Sequence, residues 1–417
     1  MWGERSPGRS FEWFWAAYAA STFGTWIAFN TFPLIAIRVL HAGPAEVSAL
    51  AAAGAAVGAA VAVPLGPWVE FRRKRPVLVG MDLLRCAALL SVPAAYALGW
   101  LGMGQLLVVS VVVAAADITF GAASGAYLKS LLRPEELLAA NARFESTTWT
   151  ATILGPPLGG AAFALLGPVT TVVADAASYL LSALGIRAAG GREVRPERPE
   201  RPEASKPRTG DLLDGWRYIL GDRVLRPLFL NSVLVNALIM ATEPVLAVLM
   251  LGQLGFAPWQ YGLAFAVPCL GGLLGSRLSG PLVARYGQHR VLRTTGVLRA
   301  CWLLGLVLVG PGTAGLLVVM AVEFGMIACI GVFNPVFATY RLERTASDRV
   351  ARTLSAWSVT GKAAIAALTA LWGVLAALTG PRTALGLAGL LLLASPLLLP
   401  RREVLPEPAP VAAGAEA

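Results

Sequence analysis

Of the polar side chains inside long apolar stretches of this 417-residue chain, Asn30, Asp117, Asn236, Glu243, Glu323 and Lys362 are the candidates for a proton or substrate site. A carboxylate in such surroundings is costly to ionise, so it must be protonated, paired or in contact with water, and any of these equips it to trade a proton. Asp117 is the first candidate for that exchange, with a neutral or hydrogen-bonded structural aspartate as the alternative. Glu323 and Lys362 carry opposite charges and are expected to neutralise each other, either as a fixed pair or as one for which substrate or proton competes. Glu243 suits contact with a cationic solute or the lining of an outer vestibule. Asn30 and Asn236 add neutral polar groups to the set. Asp82 and Arg85, three apart on one helical face, are expected to form an intrahelical structural pair.

A second group of residues carries charge outside the apolar stretches. The segment Gly66 to Arg85, GPWVEFRRKRPVLVGMDLLR, places Arg72, Arg73, Lys74 and Arg75 between two apolar runs, and it recurs as GPLVARYGQHRVLRTTGVLR from Gly280 to Arg299. Gly66/Gly280, Pro67/Pro281, Val69/Val283, Val77/Val291, Leu78/Leu292, Leu84/Leu298 and Arg85/Arg299 are identical at an offset of 280 − 66 = 214. Two copies of one half are therefore expected. The basic run either sets membrane topology alone or also works as a gate.

The elements that must position these residues follow from composition. Hydrophobic residues make up 56% and charged residues 14% of the chain, and the mean hydropathy is +0.66, which marks an integral membrane protein. A helical crossing needs roughly 20 apolar residues. Twelve such runs lie near 13–38, 45–69, 76–98, 104–128, 142–166, 168–187, 225–251, 257–283, 290–310, 313–337, 352–378 and 382–400. They are continuously apolar, which predicts helices and excludes a barrel. The N-terminal run is read as a retained first span and not as a cleaved signal peptide. On this numbering Asp117, Glu323 and Lys362 all fall near the bilayer midplane.

Lys and Arg cluster in the connections after runs 2, 4, 6, 8 and 10, while the opposite connections carry only Arg38 and Arg382, so both termini are expected to be cytoplasmic. This asymmetry accounts for most of the net charge of +10, and no basic, aromatic-interleaved soluble domain exists to bind nucleic acid. Cys86, Cys269, Cys301 and Cys329 lie in apolar runs without metal spacing, and His41 and His289 lie in connections, so no metal site is expected. Neither a phosphate-binding glycine loop nor a Ser-His-Asp or Cys-His set is present, so the chain is not expected to be an enzyme.

Asn30 with Pro33 in run 1 and Glu243 with Pro244 in run 7 predict kinks beside polar groups. Gly54 and Gly58 give run 2 a close-packing face, and run 5 contains Gly155-Pro156-Pro157-Leu158-Gly159-Gly160, a combination suited to a tight, bendable contact. The stretch after run 6 repeats Arg-Pro-Glu three times and reads as an extended linker that ends in a short amphipathic helix capped by Asp211. Residues 1–188 and 223–400 are thus expected to form two six-helix bundles, 189–222 the cytoplasmic linker and 401–417 a disordered tail.

Twelve helices in two repeated halves, joined by a long linker and each with a basic loop between its second and third helix, resemble the major facilitator superfamily of secondary transporters over about residues 11 to 400. The family's loop signature, Gly-x-Leu-x-Asp-Arg-x-Gly-Arg-Lys, is met at Gly66, Glu70, Lys74 and Arg75, with glutamate for aspartate and with Phe71 and Arg73 departing from it. In the second copy Gly280, Leu282, Arg285 and Gly287 fit, and Ala284 replaces the acid. The resemblance implies a cytoplasmic gate centred on Glu70. Run 5 is similar to the family's antiporter signature at Gly155, Pro156, Gly159 and Gly160, with Ala151 in place of the first glycine. The stretches from Leu132 and Tyr340, with Met81 to Arg85, are similar to the branch holding macrolide efflux proteins and the enterobactin exporter. Asp117 stands where many proton-coupled exporters have an arginine four residues before a glycine, here Gly121.

The resemblance implies a monomeric secondary transporter of the bacterial inner membrane, most simply a proton-coupled exporter of amphipathic small molecules such as drugs or siderophore-like compounds. Its partners are then the substrate, protons and lipid, and it needs no cofactor beyond the proton-motive force. Uptake or facilitated diffusion of a solute is the second reading, and a membrane enzyme or lipid flippase the third.

Overall fold

A computed structural model describes residues 8–28, 31–41, 50, 56–61, 63–167, 169–189 and 213–399, and the regular structure among them is helical. Long apolar sequence dictates this, because a helix pairs its own backbone groups where lipid offers no partner. The first half contains α1 (Arg9–Ile27), α2 (Thr31–Arg38), α3 (Leu65–Glu70), α4 (Lys74–Ala97), α5 (Met103–Leu131), α6 (Pro134–Leu166) and α7 (Thr170–Ala188). A short α8 (Asp214–Gly221) precedes the second half: α9 (Leu225–Ala247), α10 (Pro258–Tyr286), α11 (Gln288–Cys301), α12 (Gly312–Arg344), α13 (Val350–Thr379) and α14 (Pro381–Ala394). Each of the twelve apolar runs holds at least one described helix, giving an all-α polytopic membrane protein of two six-helix halves.

Eight described helices are long and apolar enough to cross a membrane by composition alone, from Lys74–Ala97 through Pro381–Leu398. Helix α6 carries a polar band, residues 143–150 reading Arg-Phe-Glu-Ser-Thr-Thr-Trp-Thr. That polar band is a first sign that α6 faces another helix and not lipid. Run 1 holds two described helices: α1 ends at Ile27, and α2 opens at Thr31 with Pro33 in its first turn, where a missing N–H leaves no helical bond unmade. Run 7 passes from α-helix to a π-helical turn at Val248–Gln253, four residues after Pro244. Asn30, Gly54, Asp211, most of the linker and the tail 401–417 lie outside the described residues.

The internal repeat is visible in the packing. Arg85 on α4 is buried with its guanidinium 4.6 Å from the Phe120 ring of α5. Its counterpart Arg299 on α11 is equally buried, 3.6 Å over Phe333 of α12, and donates to Asn231 Oδ1 at 2.6 Å. Both halves thus use a guanidinium on an aromatic face to join their third and fourth spans. Between the halves, α6 packs on α10 and α12, and α13 packs on α5 and α3. Helix α8 lies on α13, with Trp216 Nε1 donating to Thr360 Oγ1 at 2.8 Å.

Candidate functional site

Four of the polar residues within the membrane spans form a chain of alternating charge. Asp82 and Arg85 make an ion pair one helical turn apart on α4, Arg85 Nη1 lies 3.6 Å from Asp117 Oδ1 on α5, and Asp117 Oδ2 accepts from Lys362 Nζ on α13 at 3.1 Å. The chain runs acid, base, acid, base from the interior of the first half to the second half. Asp82 is fully buried and Asp117 is 57% exposed, so the chain begins in packed protein and ends at an accessible contact between the halves. Alternating neighbours compensate one another, which is how four charges are tolerated at this depth. Tyr179, 4.2 Å beneath the Arg85 guanidinium and hydrogen-bonded to Thr25 at 2.8 Å, fixes the inner end.

Lys362 therefore pairs with Asp117, where its charge and depth predicted Glu323. The reason is topological: α13 packs on α9, α5 and α3, whereas Glu323 is buried on α12, which packs on α10 and α11. Among the described residues neither Glu243 nor Glu323 has a hydrogen-bond or ion-pair partner. Asn236 and Glu243, seven apart, share an exposed face of α9.

Below this layer, toward the end of the bundle that carries the basic loops, the halves close on each other. Ser146 on α6 meets Ser276 on α10 at 2.7 Å, Asn141 donates to Thr339 of α12 at 2.9 Å, and Asn334 of α12 donates to Glu145 at 2.8 Å. Lys129, at the end of α5, donates to the backbone carbonyls of Leu342 at 2.6 Å and of Thr345. Trp149 sits against Gly272, where a Cβ would come within 2.3 Å of its ring. Thus the cross-half hydrogen bonds among the described residues run from the Asp117–Lys362 level to the basic end.

That end is fastened by Glu70, just beyond run 2. Its carboxylate meets Arg352 of α13, which also donates to Asp214 of α8 at 2.8 Å, so one guanidinium joins the first half, the linker helix and the second half. Burial pushes the Glu70 carboxyl up to about 7, and the Arg352 charge and hydrogen bond pull against this without overcoming it. A Cβ on Gly66 would lie 2.9 Å from the Ser355 Cβ, so glycine permits the contact. Lys74 caps α3 by donating to the carbonyls of Val69, Glu70 and Arg72 at 2.9, 2.5 and 2.9 Å. Arg75 Nε donates to Ile186 O at 2.9 Å, Arg72 stacks on Trp68 at 4.6 Å, and Arg73 is exposed before α4.

The second loop is built differently. Gly280 faces open space, Arg285 stacks on its neighbour Tyr286 at 5.3 Å, and Gly287 turns the chain with φ +82°. The repeat offset carries Glu70 to Ala284 (70 + 214) and Arg352 to Leu138 (352 − 214). Leu138 packs into the apolar cluster that also receives Leu282 and Val283. An ion pair in one copy is thus an apolar contact in the other. On α6, a Cβ at Gly159 would lie 1.9 Å from the Ile27 carbonyl oxygen and one at Gly155 2.5 Å from the Trp26 Cβ, while Gly160 has open space. Those glycines bring the α6 backbone against the end of α1, and Pro156 sits within the same helix.

Sequence reasoning passed over Arg352, Asp214, Glu145 and the buried Asp175, which accepts from Ser178. Arg352 and Asp214 lie among other connection charges, and nothing local distinguishes them. Glu145 had a signal: it is an acid inside an apolar run, flanked by serine and threonine.

Residues 14–361 and 244–416 match the sequence profile of the Major Facilitator Superfamily. The multidrug efflux pump Tap of Mycobacterium tuberculosis is 30% identical over 243 residues, 56% of this chain and 56% of that protein, so the chain spans about half the length of this curated relative. The fold is similar to that of a bacterial homologue of the iron transporter ferroportin in its outward-facing state, with TM-score 0.77 at 16% identity over 93% of this chain and 98% of that one. It is also similar to a fucose:proton symporter of E. coli, with TM-score 0.68 at 13% identity over 94% and 96% of the two chains.

Proposed function

This chain belongs to the Major Facilitator Superfamily, and from that premise we propose that it is a proton-coupled exporter of amphipathic small molecules working by alternating access. The observation that carries the reading is the asymmetry of the inter-half contacts: hydrogen bonds and ion pairs close the basic end, while Asp117 and Lys362 stand in a cavity above them. With the basic loops cytoplasmic, as the charge asymmetry predicts, this is the outward-facing arrangement and both termini are cytoplasmic. Residues 1–188 and 223–400 act as the rocking bundles, with 189–222 as the linker. Similarity to an efflux pump and the glycine contacts of α6 support export.

The Asp117–Lys362 pair is the coupling element in this reading. A proton from the outer solution that binds Asp117 releases Lys362, and the halves lose one of their ties across the cavity. The proton then leaves to the cytoplasm as the cavity opens there, and an electrical potential contributes about 2.3 kcal/mol per charge per 100 mV to that step. Asn236 and Glu243 share an exposed face of α9, where a cationic group on the substrate would find the Glu243 carboxylate, and Glu323 lies buried on α12 as a reserve acid that only an opened bundle would present.

Growth of a deletion strain on a compound panel identifies substrates, and everted vesicles loaded with a hit decide direction. Outward pumping in cells that collapses with the pH gradient is the expected result; accumulation of the solute in cells would overturn export. In Asp117→Asn, pH-gradient-driven flux is expected to fall to the passive level in protein that still folds into the membrane. Wild-type coupling in that variant would remove Asp117 from the mechanism.

A further inference from the structure

We propose that the basic loop of the first half is a binding site for one anionic phospholipid, with the lipid phosphate among Arg72, Arg73 and Arg187 and the acyl chains along α4 and α7. Glu70 ties this loop to the second half, Lys74 caps α3, and Arg75 donates to the end of α7. The guanidinium groups of Arg72 and Arg73 take no part in these contacts. Both residues are exposed, as is Arg187 in the last turn of α7, and no carboxylate among the described residues pairs with any of the three.

Two contacts gather the cations. Arg75 donates through Nε to the Ile186 carbonyl at 2.9 Å and through Nη2 to that of Arg187, which holds the start of α4 against the end of α7. Arg72 and Arg73 immediately precede α4, so like charges from both helices converge on one corner at the membrane surface. Their mutual repulsion falls when an anion sits among them. Arg72 is also stacked on Trp68, 4.6 Å from the ring centre, and that exposed indole marks the headgroup level.

The surface that runs from this corner is apolar. On α7, Leu184 and Leu180 lie three and seven residues before Arg187 on the same face, and both are exposed. On α4, Leu83 and Leu84 are exposed, and a Cβ on Gly80 would meet nothing within 4 Å. The two helices pack on each other. A phospholipid matches both parts, because guanidinium forks hydrogen-bond a phosphate in pairs and the acyl chains cover the leucines. A zwitterionic lipid would bring a cation of its own into the corner, so the complementary headgroup is anionic. The repeat does not build the site twice: the offset of 214 carries positions 72 to 75 to Tyr286, Gly287, Gln288 and His289, none of them Lys or Arg.

Native mass spectrometry of the full chain in a neutral detergent, titrated with phosphatidylglycerol and with phosphatidylcholine of the same acyl chains, measures the site. One phosphatidylglycerol is expected to bind about tenfold more tightly than phosphatidylcholine, and equal affinities overturn the proposal. Arg72→Gln with Arg73→Gln should weaken the phosphatidylglycerol complex about 25-fold, about fivefold per arginine, and Arg187→Gln about fivefold. Arg72→Lys with Arg73→Lys should restore most of the affinity; a loss as large as in the glutamine variant would point to a disturbed loop and sink the lipid site. Arg285→Gln with Arg290→Gln removes the same charge from the second loop and is expected to leave the affinity unchanged. Equal weakening there would mean attraction to net charge without a site. Inorganic phosphate in millimolar excess should not displace the lipid, whereas displacement would reassign the corner to a soluble anion and overturn the proposal.

Discussion

Glu70 shows how a single buried residue makes the closed basic end respond to pH. Its carboxyl sits at about 7 in the closed arrangement, against about 4.3 for an exposed glutamate such as opening would produce. Between those values the closed state holds a proton that the open state does not. The closed state is therefore favoured fully below the lower value, and this contribution is lost as pH rises through about 7. Spin labels at exposed positions 135 and 290, across the basic end of a cysteine-free protein, are expected to separate as pH rises through that value; Glu70→Gln should flatten the response. An unchanged pH profile in the E70Q protein would mean that another group supplies it. The Arg352 ion pair is a separate contribution: Arg352→Ala removes the partner of both Glu70 and Asp214 and should open the basic end at every pH.

At the scale of elements, α6 carries most of what joins the halves, and its sequence explains why. Its Gly-Pro-Pro-Leu-Gly-Gly segment fits against α1, and the preceding polar band supplies Asn141, Glu145 and Ser146 to α10 and α12. Gly159→Ala would place a methyl group 1.9 Å from the Ile27 carbonyl oxygen, so α6 must move away from α1. Overpacking of this kind costs about 1–3 kcal/mol. A lowered melting temperature in detergent is expected for Gly159→Ala and not for Gly160→Ala, which meets open space; equal effects would discredit the packing account. Helices were readable in the sequence because lipid burial demands long apolar runs, and the Asp82–Arg85 contact because one helical turn fixes it locally. The Asp117–Lys362 and Glu70–Arg352 pairs were not, since each depends on where α13 packs, and opposite charge at a similar depth wrongly favoured Glu323 as the Lys362 partner. The amphipathic helix after the linker was expected, but its fastening to Arg352 required the fold.

For the whole molecule, the repeat and its departures work together. Each half keeps a buried arginine over an aromatic ring, Arg85 with Phe120 and Arg299 with Phe333, which makes the bundles similar rigid bodies. The surfaces where they meet are not equivalent. One side of the interface closes through Glu70, Arg352 and Asp214, and the symmetry-related side, where Leu138 is apolar, through the hydrogen bonds Ser146–Ser276, Asn141–Thr339 and Asn334–Glu145. Ion pairs at one edge and hydrogen bonds at the other mean that the halves part by breaking a few polar contacts. Rocking then requires Gly66 and Ser355 to separate. Their close approach, 2.9 Å between the ideal Cβ of residue 66 and the Ser355 Cβ, is near enough for a disulfide after slight relaxation toward the usual spacing of about 3.8 Å. In a cysteine-free background, Gly66→Cys with Ser355→Cys should cross-link on oxidation, stop transport and regain it on reduction. Reagents that do not cross the membrane should still reach a cysteine at position 117 from the outside in the cross-linked protein. Continued transport by fully cross-linked protein would mean that the basic end does not open during the cycle, and alternating access about this interface would have to be abandoned.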